Sequence, residues 1–392
     1  MRHAALVPLL ALLVPAALRA AEPPLRIGVC GPMTGDQGKM GEDILHGAEL
    51  AVAEWNAKGG VLGRRIEIVA GDDQHEPKQA RAVAERMKNE RVAGVVGHFN
   101  TGCTVPASDV YYEAGIPMIT PSATNPQVTE RGYENVFRVC GRDDQQAPVA
   151  ARYTVETAKA RRVAVLHDNS AYGKGLADLY KAALEDKAEV VYYGGIVQGD
   201  MDYKAVLANV KDKAPDLWFF GGMYPEASKL VKQGRELGLT ATFLSGDGTY
   251  DPQFLKVAGP AAEGAVLTFG PDFRKLPSAQ PFLEGYRKKY GDPGPYSIYA
   301  YDAANILLHA IDQAKSLEGP KVAAAIRARE HDGAFGKIDF DAKGDMKKAP
   351  YICWRVEKGA FVPLEDGESS SLLPTIQSIP SRKRPVLVEV LV

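Results

Sequence analysis

Residues 95–124 read VVGHFNTGCTVPASDVYYEAGIPMITPSAT. The stretch splits into two units of one design. In the first, an apolar strand over residues 92–96 runs into Gly97-His98-Phe99-Asn100-Thr101-Gly102. A helix-like run follows, with Val105, Val110 and Ala114 as its apolar residues. In the second, a short strand over residues 116–120 runs into Pro121-Ser122-Ala123-Thr124. Each unit puts hydroxyls and small residues where a strand meets a helix start. Free backbone N–H groups and a positive dipole end gather at such a junction, so a carboxylate is welcome there. In an open α/β sheet the carboxyl ends of the strands form the crevice where ligands bind. One such turn alone reads as helix capping by Thr101, Ser122 or Thr124. Two in succession favour a binding edge. No base stands beside a nucleophile in the stretch, which argues against covalent chemistry.

Strand–helix alternation extends to both sides. Upstream lie a strand over residues 25–30, the turn Gly31-Pro32-Met33-Thr34-Gly35, and a helical stripe of Ile44, Ala48, Ala51, Val52 and Trp55 within residues 43–57. A second strand covers 65–69 and closes at Asp72-Asp73, read as a solvated strand end; a helix over 77–89 has Pro77 in its first turn. This spacing predicts parallel βαβ units. Gly141-Arg142-Asp143-Asp144 breaks the run. A second alternation begins with RRVAVLH (161–167) and continues through strands from 190, 216 and 242, with helices from 174, 202 and 226. The strand from 242 reaches Ser245-Gly246-Asp247-Gly248. Beyond Phe269-Gly270-Pro271 the pattern turns helical over 282–290, 298–314 and 322–329, and short strands at 337–340 and 351–356 close it. Two α/β lobes are expected, with the chain crossing between them more than once.

The chain starts Met1-Arg2-His3, then runs apolar over 4–18 to Arg19-Ala20-Ala21. A basic start, a short apolar core and a small-residue exit predict a secretory signal peptide over 1–21, cleaved after Ala20 or Ala21. Pro8 and Pro15 interrupt the run, which is too short to span a bilayer comfortably. At the other end, residues 365–371 are polar and read as disordered, and PVLVEVLV (385–392) is a β-prone apolar run of unassigned role. The formal charge is −2, from 47 basic and 49 acidic residues, and removing Arg2 and Arg19 makes it −4. That balance argues against a nucleic-acid partner, which wants a basic face. Roughly 370 mature residues predict two domains. Cys30, Cys103, Cys140 and Cys353 permit three full disulfide pairings in an exported setting, but their apolar surroundings favour buried thiols. No CxxC is present, and His75, His98 and His167 are not spaced as metal ligands. No metal or cofactor is expected.

Several motifs together carry a resemblance: GPMTGDQGKMG (31–41), NAKGGVLGRRIEIVAGDD (56–73), PKQARAVAERM (77–87), the 95–126 stretch, YGKGLAD (172–178), FFGGMYPEA (219–227) and YAYDAANIL (299–307). The chain resembles the periplasmic branched-chain amino-acid-binding proteins, the Leu/Ile/Val-binding receptors of ABC importers. The resemblance spans nearly the whole mature chain to about Val362. It implies the type I periplasmic binding fold: two Rossmann-like lobes with parallel central sheets, joined by three crossings and closing on ligand. On that pattern the N-terminal lobe takes 22–142 and 271–350, the C-terminal lobe 143–270 and 351–366, and 367–392 is a tail. The family's carboxylate- and ammonium-holding positions fall on Thr101, Ser122 and Thr124. Its closing tyrosine falls on Tyr172. Its acidic ammonium partner falls on Asp247, where the family often has Glu. The side-chain pocket falls on Met40, Phe99, Met223, Tyr224 and Tyr296. The implied role is capture of an apolar L-amino acid in the periplasm by a monomer that delivers it to ABC permease subunits. The disulfide of the best-known members would join His75 and Asn100, so it is absent here.

Two other readings compete. An enzyme lacks support: Gly38-Lys39 has no phosphate-loop spacing, and no G-x-S-x-G occurs. A sensing receptor of the same fold, for a small amide or aromatic acid, would leave a similar pocket.

Overall fold

Five parallel strands form the first sheet: β1 (Leu25–Gly31), β2 (Ile66–Asp72), β3 (Val95–Val96), β4 (Met118–Thr120) and β5 (Val136–Arg138), in the order β2-β1-β3-β4-β5. The crossovers are α1 (Gly38–Ala57), α2 (Pro77–Asn89) and α3 (Thr101–Glu113). These belong to a computed structural model that describes residues 22–364. The proposed signal peptide, the tail and the last two residues assigned to the C-terminal lobe lie outside the described residues. β1 is apolar and buried along its length apart from Arg26, as expected of a parallel strand covered on both faces.

The chain then enters the second lobe through α4 (Asp143–Arg152). It alternates through β6 (Arg162–His167), α5 (Ala171–Ala183), β7 (Glu189–Gly195), α6 (Lys204–Asp212), β8 (Leu217–Gly221), α7 (Tyr224–Glu236), β9 (Thr242–Ser245), α8 (Pro252–Ala258) and β10 (Val266–Phe269). It returns to the first lobe as α9 (Gln280–Tyr290), α10 (Ser297–Ala314), α11 (Gly319–Arg327) and the hairpin β11 (His331–Gly333) and β12 (Gly336–Ile338). There α10 packs on α1 and against β3 and β4. A third crossing leads to β13 (Ile352–Glu357) and β14 (Ala360–Pro363). The second sheet has the order β14-β13-β10-β9-β8-β6-β7, with β13 and β14 antiparallel to their neighbours. The sheets are thus parallel at their centres, and one carries an antiparallel edge.

Several boundaries differ from expectation, for physical reasons. α1 begins at Gly38, five residues before the expected start. Its Asp43 is not a helix-start residue; it is 3% exposed and accepts the backbone N–H groups of Gly294 and Tyr296. The run 141–144 does separate the two alternations, but it does so without a loop. Gln145 accepts the backbone N–H of Arg142 at 3.0 Å, so a helix starts at once. β5, β10 and β14 are too short to show a period. Asp73 is no solvated strand end: it is fully buried, and its Oδ2 lies 2.6 Å from His98 Nδ1. The other ring nitrogen of His98 meets the Tyr111 hydroxyl at 3.0 Å, which satisfies this histidine inside the core. All four cysteines are buried thiols, as their surroundings suggested. No helix among the described residues is long and apolar enough to cross a membrane.

Candidate functional site

The carboxyl ends of the two sheets face each other across a cavity of about 460 Å³. Gly97 follows β3 with φ +131°, and a Cβ there would sit 2.2 Å from the Cys30 carbonyl oxygen. Only glycine therefore lets the chain turn so close to β1. The turn leads to Thr101, the first residue of α3, which is 1% exposed and lines the cavity. Its hydroxyl oxygen is buried and has no hydrogen-bond partner. Buried polar atoms are normally paired, so an unpaired hydroxyl on a cavity wall marks a place for a ligand group. Ser122 lines the same wall but is committed, donating to the Phe99 carbonyl at 2.9 Å. Thr124 is 1% exposed with an unpartnered hydroxyl, one layer behind the wall.

On the opposite side, Tyr172 stands in the first turn of α5 and lines the cavity. Its hydroxyl donates to Asp247 Oδ1 at 2.8 Å and accepts from the backbone N–H of Gly248 at 3.0 Å. Tyr296, at the start of α10, donates to Asp247 Oδ2 at 2.8 Å. Asp247 is buried and does not reach the wall; the two tyrosines that hold it do. Burial raises its pKa, while the hydroxyls of Tyr296 and Tyr172 pull the other way. The flanking glycines make room: a Cβ at Gly246 would lie 2.6 Å from the Tyr172 hydroxyl, and one at Gly248 would lie 2.8 Å from the Met223 sulfur.

Phe99, Met223 and Tyr296 supply apolar wall, and the Phe99 and Tyr296 rings meet edge to face at 4.9 Å. Met40 is placed elsewhere. Because α1 starts early, Met40 is helical and sits 1% exposed in the core, off the wall. Tyr224 is also off the wall and spans the cleft instead, donating its hydroxyl to the Asp36 carbonyl at 2.6 Å. Sequence reading missed the polar part of the lining: Gln37, Asn100, Gln127, Asn169 and Gln198. Gln37 and Asn100 sit in motifs that were quoted for the resemblance, yet nothing in a linear motif says which of its side chains face inward. Asn100 Nδ2 donates to Gln37 Oε1 at 2.8 Å, while Asn100 Oδ1 is buried and unpartnered. His75, which also lines the cavity, lies 3.4 Å from Asp36, whose carboxylate raises the imidazole pKa.

The arrangement offers hydrogen-bonding groups for a carboxylate on one lobe, a buried carboxyl group on the other, and mixed apolar and amide walls between. It contains no paired nucleophile and base, and no group of three or more metal-ligating side chains occurs among the described residues.

Comparison with known proteins agrees. The model of a family described as periplasmic binding protein matches residues 24–360. A Leu/Ile/Val-binding protein homolog 2 of Brucella abortus (strain 2308) is 40% identical over 346 residues, covering 88% of this chain and 92% of that protein. A leucine-binding protein of Thermotoga maritima superposes with a TM-score of 0.82 at 32% identity, over 87% of this chain and 97% of that one. The branched-chain amino acid transporter substrate-binding protein of Streptococcus pneumoniae, in complex with isoleucine, gives 0.80 at 29% identity, over 87% and 100%. With two such lobes around one cleft and a match that runs through both, this chain belongs to the periplasmic binding protein family.

Proposed function

We propose that this chain is the substrate-binding component of an ABC importer and captures an apolar L-α-amino acid, with leucine, isoleucine or valine favoured. It acts as a monomer in the periplasm, after loss of residues 1–21, and delivers its ligand to permease subunits in the inner membrane. It is a binding protein and not an enzyme. The observation that carries the reading is the convergence of Tyr172 and Tyr296 on Asp247, opposite the unpartnered Thr101 hydroxyl. Thr101 and the N–H groups at the start of α3 take the ligand carboxylate. Each tyrosine donates its O–H to Asp247 in a hydrogen bond and so leaves an oxygen lone pair for the ligand ammonium. This compensates for the arm of Asp247, shorter than Glu by one methylene. The lobes divide at 22–142 plus 271–350 and at 143–270 plus 351–366, a division supported by sheet membership and by the packing of α10 on α1.

Calorimetry tests the reading. Leucine should bind, and leucinamide and the deaminated acid should bind far more weakly. Equal binding of the deaminated acid would remove the ammonium from the site. Mass spectrometry of whatever the purified protein releases on denaturation gives the ligand mass independently. A second reading, a small amide as ligand, draws on the amide side chains of the wall, and the same titrations separate the two.

A further inference from the structure

Tyr296 is held at two ends by buried carboxyl groups, one in each lobe. Its hydroxyl donates to Asp247 Oδ2 at 2.8 Å, across the cleft. Its backbone N–H donates to Asp43 Oδ2 at 3.2 Å, within the first lobe. Asp43 belongs to α1, is 3% exposed and lies off the cavity wall. Its other oxygen accepts the backbone N–H of Gly294 at 2.9 Å and the Tyr286 hydroxyl at 3.3 Å. Pro295 lies between the two backbone donors and has no N–H of its own. One carboxyl group thus takes every backbone donor that residues 294–296 offer. The approach is close. A Cβ on Gly294 would lie 2.1 Å from Asp43 Oδ2, and a Cβ on Gly47 would lie 2.1 Å from the Ser297 carbonyl oxygen. Between them, α1 and the start of α10 leave the turn no slack.

The phenol of Tyr296 depends on that hold. Tyr296 precedes α10, and its side chain does not cap the helix. It lines the cavity instead, edge to face with Phe99, and reaches on to Asp247. The hydroxyl sits at the far end of a rigid ring, so a small rotation of the backbone swings it through a larger distance. A hydrogen bond weakens steeply once its distance and angle leave a narrow range. Asp302 shows what a buried carboxyl group does when it only caps a turn. It is 1% exposed on α10 and accepts the backbone N–H groups of Ala334 and Phe335 at 2.7 and 2.9 Å, and neither of those residues lines the cavity. What sets Asp43 apart is the residue it holds.

We propose that Asp43 is a positioning residue of the ligand site: it fixes the 294–296 turn so that the Tyr296 hydroxyl meets Asp247, and through that one bond it sets both ligand affinity and how far the empty lobes stand apart. The effect on affinity rests on the amino-acid reading of the cleft; the effect on the lobes does not.

The test is a double-mutant cycle in the ligand-stripped, full-length mature protein. Asp43→Asn keeps the shape but turns an amide N–H toward a backbone N–H. Calorimetry should find leucine bound about tenfold more weakly, because the bond from Tyr296 to Asp247 is lost from its place. In the Tyr296→Phe background the same change should cost less than about twofold, since the bond is already gone. Asp302→Asn should lower stability in a urea melt as Asp43→Asn does, yet change leucine affinity by less than about twofold. Solution scattering without ligand should show a larger radius for Asp43→Asn than for wild type, and no further increase when Tyr296→Phe is added. Amide exchange needs no Asp43 variant: the Gly294 N–H should be slow in wild type and stay slow in Tyr296→Phe, because the hold comes from Asp43. Equal losses of leucine affinity with and without the Tyr296 hydroxyl overturn the inference, as do an equal loss in Asp302→Asn, an unchanged radius, or a freely exchanging Gly294 amide. Absence of leucine binding in the wild type, with the radii and the exchange as expected, overturns the amino-acid reading and leaves the hold of Asp43 on the lobes standing.

Discussion

Tyr296 donates its hydroxyl to Asp247 Oδ2 at 2.8 Å, although Tyr296 begins a helix packed on the first lobe and Asp247 follows a strand of the second sheet. The bond ties the lobes together and fixes the buried charge at the back of the cavity. Tyr296→Phe should therefore do two things. Losing a hydrogen bond to a charged group should weaken leucine binding by about 1.5–3 kcal/mol. Losing a tie between lobes should leave the ligand-free protein more open, seen as a larger radius in solution scattering. A variant with wild-type affinity and radius would deny the contact a role in either.

Asp247→Asn keeps the shape and removes the charge. Truncating one partner of a desolvated charged contact costs about 2–5 kcal/mol, or roughly 30- to several-thousand-fold in dissociation constant. Asp247→Glu is the sharper case. Both oxygens already sit 2.8 Å from tyrosine hydroxyls, so a longer arm must push Tyr172 or Tyr296 out of place. Calorimetry should find weaker leucine binding for Glu than for Asp; stronger binding would mean that Asp247 reaches the ligand directly and falls short of it.

Tyr224 acts at the rim. Its 2.6 Å bond to the Asp36 carbonyl joins the lobes without touching the cavity wall. Tyr224→Phe should cost about 1 kcal/mol of leucine affinity, the usual net worth of one neutral hydrogen bond. Stopped-flow measurement should place the change in ligand release rather than association. A loss of a hundredfold or more would put Tyr224 in the pocket after all.

Asp345 tests stability apart from binding. It accepts from Arg138 and Arg142, and its side chain is 5% exposed. Burial alone would raise its carboxyl, but the two guanidinium groups outweigh that and hold it below the ordinary carboxylate range. A folded pKa below the unfolded one gives stability that is present above the unfolded value, near pH 4, and is lost as pH falls through the folded value. Asp345→Asn should destabilise the protein by about 3–5 kcal/mol at pH 7, because it leaves buried guanidinium charge uncompensated. Urea melts of wild type and variant should converge as the pH drops below about 4. A constant difference down to pH 2.5 would mean that packing, not charge, accounts for the loss.

Much of this molecule was legible before folding was considered. The helix over 77–89 has its observed bounds because Pro77 marks its start and an apolar stripe marks its buried face. Thr101 and Ser122, singled out by the local chemistry of strand-to-helix junctions, line the cavity, as does Tyr172, which only the resemblance singled out. Met40, which the resemblance put in the side-chain pocket, sits in the core as a residue of α1, which begins at Gly38. Asp143 was read only as part of a break in the chain, although it is among the most buried carboxyl groups in the protein.

The sequence by itself determined the alternation of strands and helices, the two lobes, and the junctions at which a ligand can be met. Those follow from periodicity and turn chemistry, which act over a few residues. Only the tertiary structure decided that Tyr172 and Tyr296, far apart in the chain, converge on one carboxylate, that Tyr224 spans the cleft instead of lining it, and that Asp143 and Asp247 are both buried. Charge, burial and proton affinity depend on neighbours brought together through space, and no local pattern in the chain records which neighbours those are.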